Sequence, residues 1–338
     1  MSTSKFIDLI NSKEYDFLRT NSHLKDRIMF ITLGGSHAYG TNIETSDVDI
    51  RGCALNSKSD LIGMSNFEQV LDNQTDTTIY SFNKLISLLI NCNPNTIEIL
   101  GGKPEYYFQV SDLGQQLLDN KKLFLSQKAA GSFGGYATQQ LRRLENALAH
   151  DRLPDDKRLE YTADALRRAL KNFENTFTEF KQGSIKIFTD KSSRDDVDTE
   201  IFLNVNIDHY PAREFQTLIN NLSSVVNNYE KLNGRNKKKD EAHLNKHAMH
   251  LIRLYLMCLD ILEKEEINTY RENDRDFLLD IRNGKFQNED GTYRKEFFEM
   301  VTDYDNRLAY AKKHTSLPKS PNMKLIEEFV IDVNSKSL

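Results

Sequence analysis

Two segments close together, Gly34-Gly35-Ser36-His37-Ala38-Tyr39-Gly40 and Ser46-Asp47-Val48-Asp49-Ile50-Arg51-Gly52, decide how this chain folds. The first follows Ile28-Met29-Phe30-Ile31-Thr32-Leu33, a short apolar run bounded by glycines, which predicts a buried strand. Gly35-Ser36 then starts a short turn or helix, and Gly40-Thr41-Asn42 ends it. Residues 47–54 predict a second strand. Strand side chains alternate, so Asp47, Asp49 and Arg51 share one face of it.

Working outward, residues 4–22 have the spacing of a short amphipathic helix (Phe6, Leu9, Ile10, Phe17, Leu18). Residues 66–73 read as a polar connector. Asp76 to Tyr80 predicts a third strand with Asp76 at its start, and Phe82 to Ile90 switches to helical spacing. Asn91 to Asn95, with Pro94, breaks that helix. Thr96 to Leu100 begins another, with Asn95 as its expected N-cap and Glu98 in its first turn, where a carboxylate suits the helix dipole. From about residue 113 helical spacing dominates. Helices are expected at 112–119, 121–149, 157–182, 210–232, 241–264, 274–281, 294–313 and 322–332. Ile185 to Phe188 and Ile201 to Ile207 interrupt this run as two β-like stretches. The expected fold class is α/β: a small mixed sheet with helices over 1–110, then a mainly α-helical domain over 111–338 with a β-hairpin inserted at 183–209.

Composition narrows the function classes. The chain has 338 residues, a length that suits two domains. Its net charge of -5 argues against a general nucleic-acid coat but leaves room for a local basic groove. Its 3 cysteines (Cys53, Cys92, Cys258) are far apart and lack ligand spacing, which fits a reducing cytoplasm better than a disulfide framework or a zinc module. The N-terminus lacks a signal-peptide core, and no apolar run approaches membrane length.

Transfer of phosphoryl or nucleotidyl groups needs charge neutralised on the triphosphate and on the attacking oxygen. Two Mg²⁺ ions held by carboxylates do this. A D-x-D pair on one strand face supplies two ligands. Asp76, on a strand able to pair beside it, supplies a third. The Gly-Gly-Ser turn offers backbone N–H groups and a hydroxyl to phosphate oxygens. Each element alone is common: many surface strands carry D-x-D, and Gly-Gly-Ser makes ordinary turns. Their order is the specific signal. The turn is neither a Walker A loop nor a G-x-G-x-x-G fingerprint.

At these residues the chain resembles the nucleotidyltransferases of the polymerase-β superfamily. The longer pattern G-G-S-x-A-Y-G…S-D-x-D-x-R-G is similar to one branch, the predicted nucleotidyltransferases associated with RNA repair. Further matches are Asp76…Tyr80…Lys84, Asn93-Pro94-Asn95-x-x-Glu98-x-Leu100, Gly135-Tyr136-Ala137-x-x-Gln140-Leu141, Lys246 to Leu254, Ile281-Arg282-Asn283-Gly284 and Ser316-Leu317-Pro318. The resemblance implies that Asp47 and Asp49 bind metal and that Gly34, Gly35 and Ser36 hold the triphosphate. It makes Asp76 the third carboxylate, which also activates the acceptor hydroxyl. Glu98 is the alternative; it follows a proline break at a helix start, a common structural position.

On the helix expected over 242–263, His243, Lys246, His247, His250 and Arg253 recur at three- and four-residue steps and share a face. This basic stripe suits nucleotide phosphate or an RNA backbone. Three histidines in it have zinc spacing, but Lys246 and Arg253 on the same face would repel a dication. A solvated face is the ordinary alternative. Tyr136 suits either a stacked base or the core. Arg142 and Arg143, with Arg167, Arg168 and Lys171 on the next helix, suit RNA contact or plain solvation, as does the loop from Arg235 to Lys239. Arg51 is placed to reach a phosphate or pair with an acid, and Lys84 is a candidate for the triphosphate. The expected activity is attack by a hydroxyl on the α-phosphate of an NTP with two Mg²⁺. The expected acceptor is an RNA terminus, probed against two rivals: a protein hydroxyl or small molecule as acceptor, and a non-catalytic RNA-binding protein that kept the fold.

Overall fold

The computed structural model describes residues 3–152, 185–191, 199–207, 241–289 and 292–338, with single positions between 212 and 223. The helices expected at 157–182 and 210–232 fall almost wholly outside the described residues. Arg167, Arg168, Lys171 and the Arg235–Lys239 loop also lie outside them.

Five strands, β1 (Ile28–Leu33), β2 (Ile50–Ala54), β3 (Gln69–Asp72), β4 (Thr77–Ser81) and β5 (Tyr107–Val110), form a mixed sheet in the order β3-β4-β2-β1-β5. The helices that carry the argument are α1 (Gly35–Tyr39), α2 (Phe82–Leu89), α3 (Lys128–Arg152) and α4 (Glu241–Lys264). Shorter helical segments lie between them, and three further helices follow: α5 (Arg275–Arg282), α6 (Lys295–His314) and α7 (Met323–Ser337). The α/β class with a mostly helical C-terminal part is as expected.

Every residue of β1 is buried, as its unbroken apolar run requires of a central strand. β1 pairs antiparallel with β2 (Leu33 opposite Ile50) and with β5. β2 and β4 run parallel, with Ile50 opposite Thr77. That one parallel pairing sets the starts of two strands side by side.

Three features differ from the sequence expectation. The second strand begins at Ile50 and β4 at Thr77, so Asp47, Asp49 and Asp76 lie just ahead of the strands rather than in them. The chain has to turn at these points: Gly34 N–H donates to Asp49 O at 2.8 Å, and Asp76 takes a left-handed φ of 45°. Strand β3 occupies the supposed connector 66–73, and β5 was not foreseen. Both are four-residue edge strands without a continuous apolar run, so neither gives a periodic signal. Finally, Asn93 rather than Asn95 caps the turn Pro94–Ile97, its side chain accepting from Asn95 N–H, with Pro94 at the first helical position.

By backbone packing the chain divides into two compact units, Met1–Leu141 with Asn245–Leu338, and Arg142–Leu244. The first contains the sheet and the C-terminal helices. In the second, β6 (Ile185–Lys191) and β7 (Thr199–Val205) pair antiparallel, with Phe188 stacked on Phe202 at 5.9 Å.

The C-terminal half of α4 is held by Asp260, which is buried and ion-paired with Arg271 and with Lys264. Burial opposes its ionisation, but hydrogen bonds from Lys264 and Arg271 prevail and keep its pKa below the ordinary carboxylate value. A depressed folded pKa stabilises fully above the unfolded value of about 4 and is lost as pH falls through the folded value. Asp260→Asn is therefore expected to lower the melting temperature by a few degrees at pH 7, and the gap to close as pH falls below the ordinary carboxylate range. A gap that stays constant across that range contradicts this account.

Candidate active site

The parallel pairing of β2 with β4 brings Asp49 and Asp76 together. Asp76 O accepts from Ile50 N–H at 3.2 Å, and the two carboxyl groups lie close enough for Asp76 to oppose the ionisation of Asp49. Arg51 spans both acids. Its guanidinium donates to Asp49 Oδ1 (3.1 Å), Asp76 Oδ1 (3.3 Å), Asp76 O (2.6 Å) and Ile50 O (2.9 Å). Asp49 is pushed up to about 6, first by burial and then by the neighbouring Asp76 carboxyl; Arg51 and Lys246 oppose the rise. Asp47 is exposed and makes no side-chain hydrogen bond or ion pair among the described residues.

The glycine turn packs directly on this pair. Gly34 is the extended residue before α1, and its N–H ties the turn to Asp49. Gly35 has φ 54°, and a Cβ there would fall inside the Asp49 carboxylate. Both facts demand glycine. Gly35→Ala should displace Asp49 and lower any transfer rate by about a hundredfold; single-turnover kinetics would show it, and an unchanged rate would contradict this placement. The Ser36 hydroxyl is half-buried and has no hydrogen-bond partner among the described residues. The first N–H groups of α1 have no partner within the helix. Its other end is closed by donors from the C-terminal region. Arg271 N–H reaches Tyr39 O (3.0 Å), Arg275 Nε reaches Gly40 O (2.8 Å), and Arg282 Nη1 reaches Thr41 O (2.6 Å). Only the Arg282 segment carried a signal in the sequence.

The basic stripe of α4 separates into different roles. Lys246 is exposed, has no ion pair among the described residues, and lies close enough to Asp49 to favour its ionised form. His247 Nδ1 is 2.9 Å from Gln140 Oε1. Burial, with Arg253, Lys246, His247 and Arg282 nearby, holds His250 well below its ordinary pKa, so it is neutral at pH 7. Arg253 is only 5 % exposed. It pairs with Glu98 (3.1 Å) and lies 3.6 Å over the ring of Tyr39, whose hydroxyl donates to the other Glu98 oxygen at 2.8 Å. The structure thus brings Asp76 to Asp49 and engages Glu98 elsewhere. Lys84 is ion-paired with Glu68 at 2.8 Å. Arg142 and Arg143 are exposed on α3.

Among the described residues no three His, Cys, Asp or Glu side chains form a ready metal cluster. The donor set nevertheless suits a hard divalent cation: two neighbouring carboxylates bridged by Arg51, and a third just upstream in the chain that has no partner among the described residues.

A mixed sheet with a Gly-Gly-Ser turn against an acidic pair at the starts of adjacent strands is the arrangement that the resemblance to polymerase-β-type nucleotidyltransferases leads one to expect. Residues 10–171 match the model of the RNA repair pathway DNA polymerase beta family, RlaP, which bears out the resemblance to the RNA-repair branch. No curated protein and no solved structure matches the chain. No helix among the described residues is long and apolar enough to cross a membrane.

Proposed function

We propose that the protein transfers a nucleoside monophosphate from an NTP to the 3′ hydroxyl of an RNA, tRNA-like in form, in repair or end modification. The observation that carries this reading is the pair Asp49 and Asp76, bridged by Arg51, beside the Gly34-Gly35-Ser36 turn, with the charge of exposed Lys246 favouring ionised Asp49. The match to an RNA-repair family supports RNA as acceptor.

Asp47, Asp49 and Asp76 would hold divalent metal, Mg²⁺ by their all-oxygen chemistry. Metal bound there would neutralise charge on the triphosphate and on the attacking oxygen. Ser36 Oγ and the N–H groups of Gly35 and Ser36 hold phosphate oxygens, and Lys246 adds a cation. Asp76, the more exposed acid of the pair, accepts the proton of the acceptor hydroxyl. The new bond joins that oxygen to the α-phosphorus as the bond to the β-phosphate oxygen breaks, releasing pyrophosphate. Arg51 steadies both carboxylates. Arg253 acts through Glu98 and Tyr39, and neutral His250 offers a hydrogen bond rather than a charge.

Incubating the protein with Mg²⁺ and each labelled NTP, against total RNA, protein and buffer alone, tests the proposal. Label on RNA 3′ ends is expected. Label on protein or on a small molecule overturns the choice of acceptor, and no label on any overturns the activity.

A further inference from the structure

Two half-buried tyrosines stand on elements next to the carboxylate pair. Tyr80 lies on β4 and alternates with Thr78 on the half-buried face, the side from which Arg51, opposite Thr78, reaches the acids. Tyr136 lies on α3, where Ser132, Tyr136 and Gln140 recur every four residues and share a face. Ser132 Oγ donates to Asn91 O at 2.7 Å, just past α2, and Gln140 bonds His247 on α4. Tyr136 therefore stands one turn, roughly 6 Å, from each anchor. It lies between α2, which carries Lys84, and the stretch of α4 that carries Lys246.

Both rings are half-buried, and neither hydroxyl has a hydrogen-bond partner among the described residues. Neither hydroxyl oxygen is sealed from the surface, so each polar tip is open to a ligand. Burial raises the Tyr80 pKa; Arg51 and Lys84 oppose the rise, while Glu98 and Tyr136 add to it, so the charge of this hydroxyl is felt by groups from β2, α2 and α3. Four residues of strand, roughly 13 Å, separate Asp76 from Tyr80. That span is comparable to the reach from a reacting α-phosphate across a ribose to the far edge of its base.

Flat aromatic faces with free polar tips suit a nucleobase, which stacks through its ring and hydrogen-bonds along its edge. We infer that Tyr80 and Tyr136 form the nucleobase subsite for the incoming NTP, Tyr136 by stacking and Tyr80 by a hydrogen bond to the base edge. The inference rests on the nucleotide reading of the carboxylate site.

Calorimetric titration of the full chain with Mg²⁺ tests it, using α,β-methylene analogues of the four NTPs and, separately, tripolyphosphate, which lacks a base. Tyr136→Leu keeps apolar bulk and helix propensity but removes the flat ring. It is expected to weaken analogue binding about tenfold and to leave tripolyphosphate binding unchanged. Tyr136→Phe should bind as wild type. Tyr80→Phe should flatten the preference among the four bases, again without effect on tripolyphosphate. Equal loss of analogue and tripolyphosphate binding in both the Tyr136→Leu and Tyr80→Phe variants overturns the inference, and so does no loss in either. In both of those cases wild type still binds analogues and the nucleotide reading stands. A wild-type chain that binds no analogue overturns that reading and this inference with it.

Discussion

Changing Asp47 and Asp49 together to asparagine is expected to lower nucleotidyl transfer by on the order of 10³-fold or more, with the melting temperature within a few degrees of wild type. Asparagine keeps the shape of the side chain and an oxygen for Arg51, so the turn and the strand start survive. What disappears is the negative charge that would hold metal against the triphosphate. Of the single changes, Asp49→Asn should cost more, because Asp49 is the member that abuts Asp76 and Gly35. The assay is single-turnover transfer with excess enzyme, beside a thermal melt. Transfer that survives the double change would remove these acids from the chemistry. Asp76→Asn provides the comparison with Glu98→Gln. If the Glu98 change abolishes transfer in a folded protein and the Asp76 change does not, the third-carboxylate role moves to Glu98.

The second large effect concerns stability. Arg253→Met should cost about 3–5 kcal/mol in urea unfolding, because it strands Glu98 as a largely buried carboxylate with the Tyr39 hydroxyl as its remaining side-chain partner among the described residues. Methionine fills much of the same volume, so the loss is one of charge rather than of packing. Replacing both partners, Arg253→Met with Glu98→Leu, should recover most of that loss, since a buried ion pair is worth little against an apolar pair of similar size. A cost below about 1 kcal/mol for the single change would contradict the buried-pair account. The same contacts explain why Arg253 is not a simple phosphate ligand. Its guanidinium is spent on Glu98 and on the Tyr39 ring, and Tyr39 closes the helix that begins with Gly35-Ser36.

Much of this arrangement was readable in one dimension. The apolar run before Gly34 predicts a buried strand, and β1 is one. The helix expected over 241–264 matches α4 residue for residue, because its second half is apolar on nearly every side. The two β-like runs near 185 and 201 pair as an antiparallel hairpin. The edge strands β3 and β5 were missed for a physical reason: four residues that pair on one side need no distinctive pattern. The D-x-D spacing suggested two acids on one strand face. In the fold the acids sit in the turn ahead of the strand, where Gly34 N–H and the left-handed Asp76 set their approach.

Sequence alone therefore determined the class of fold and the resemblance to an RNA-repair branch, and it proposed a short list of acids, because local periodicity and an ordered motif are properties of neighbouring residues. The tertiary structure decided which acid meets which, and which cation stays exposed. Asp49 and Asp76 are 27 residues apart and meet only because β2 and β4 run parallel in register. Lys246 and Arg253 lie two turns apart on one helix and look alike in the chain, yet one is exposed beside Asp49 and the other is buried against Glu98. Burial and pairing separate them, and both depend on residues distant in sequence that only packing brings into contact.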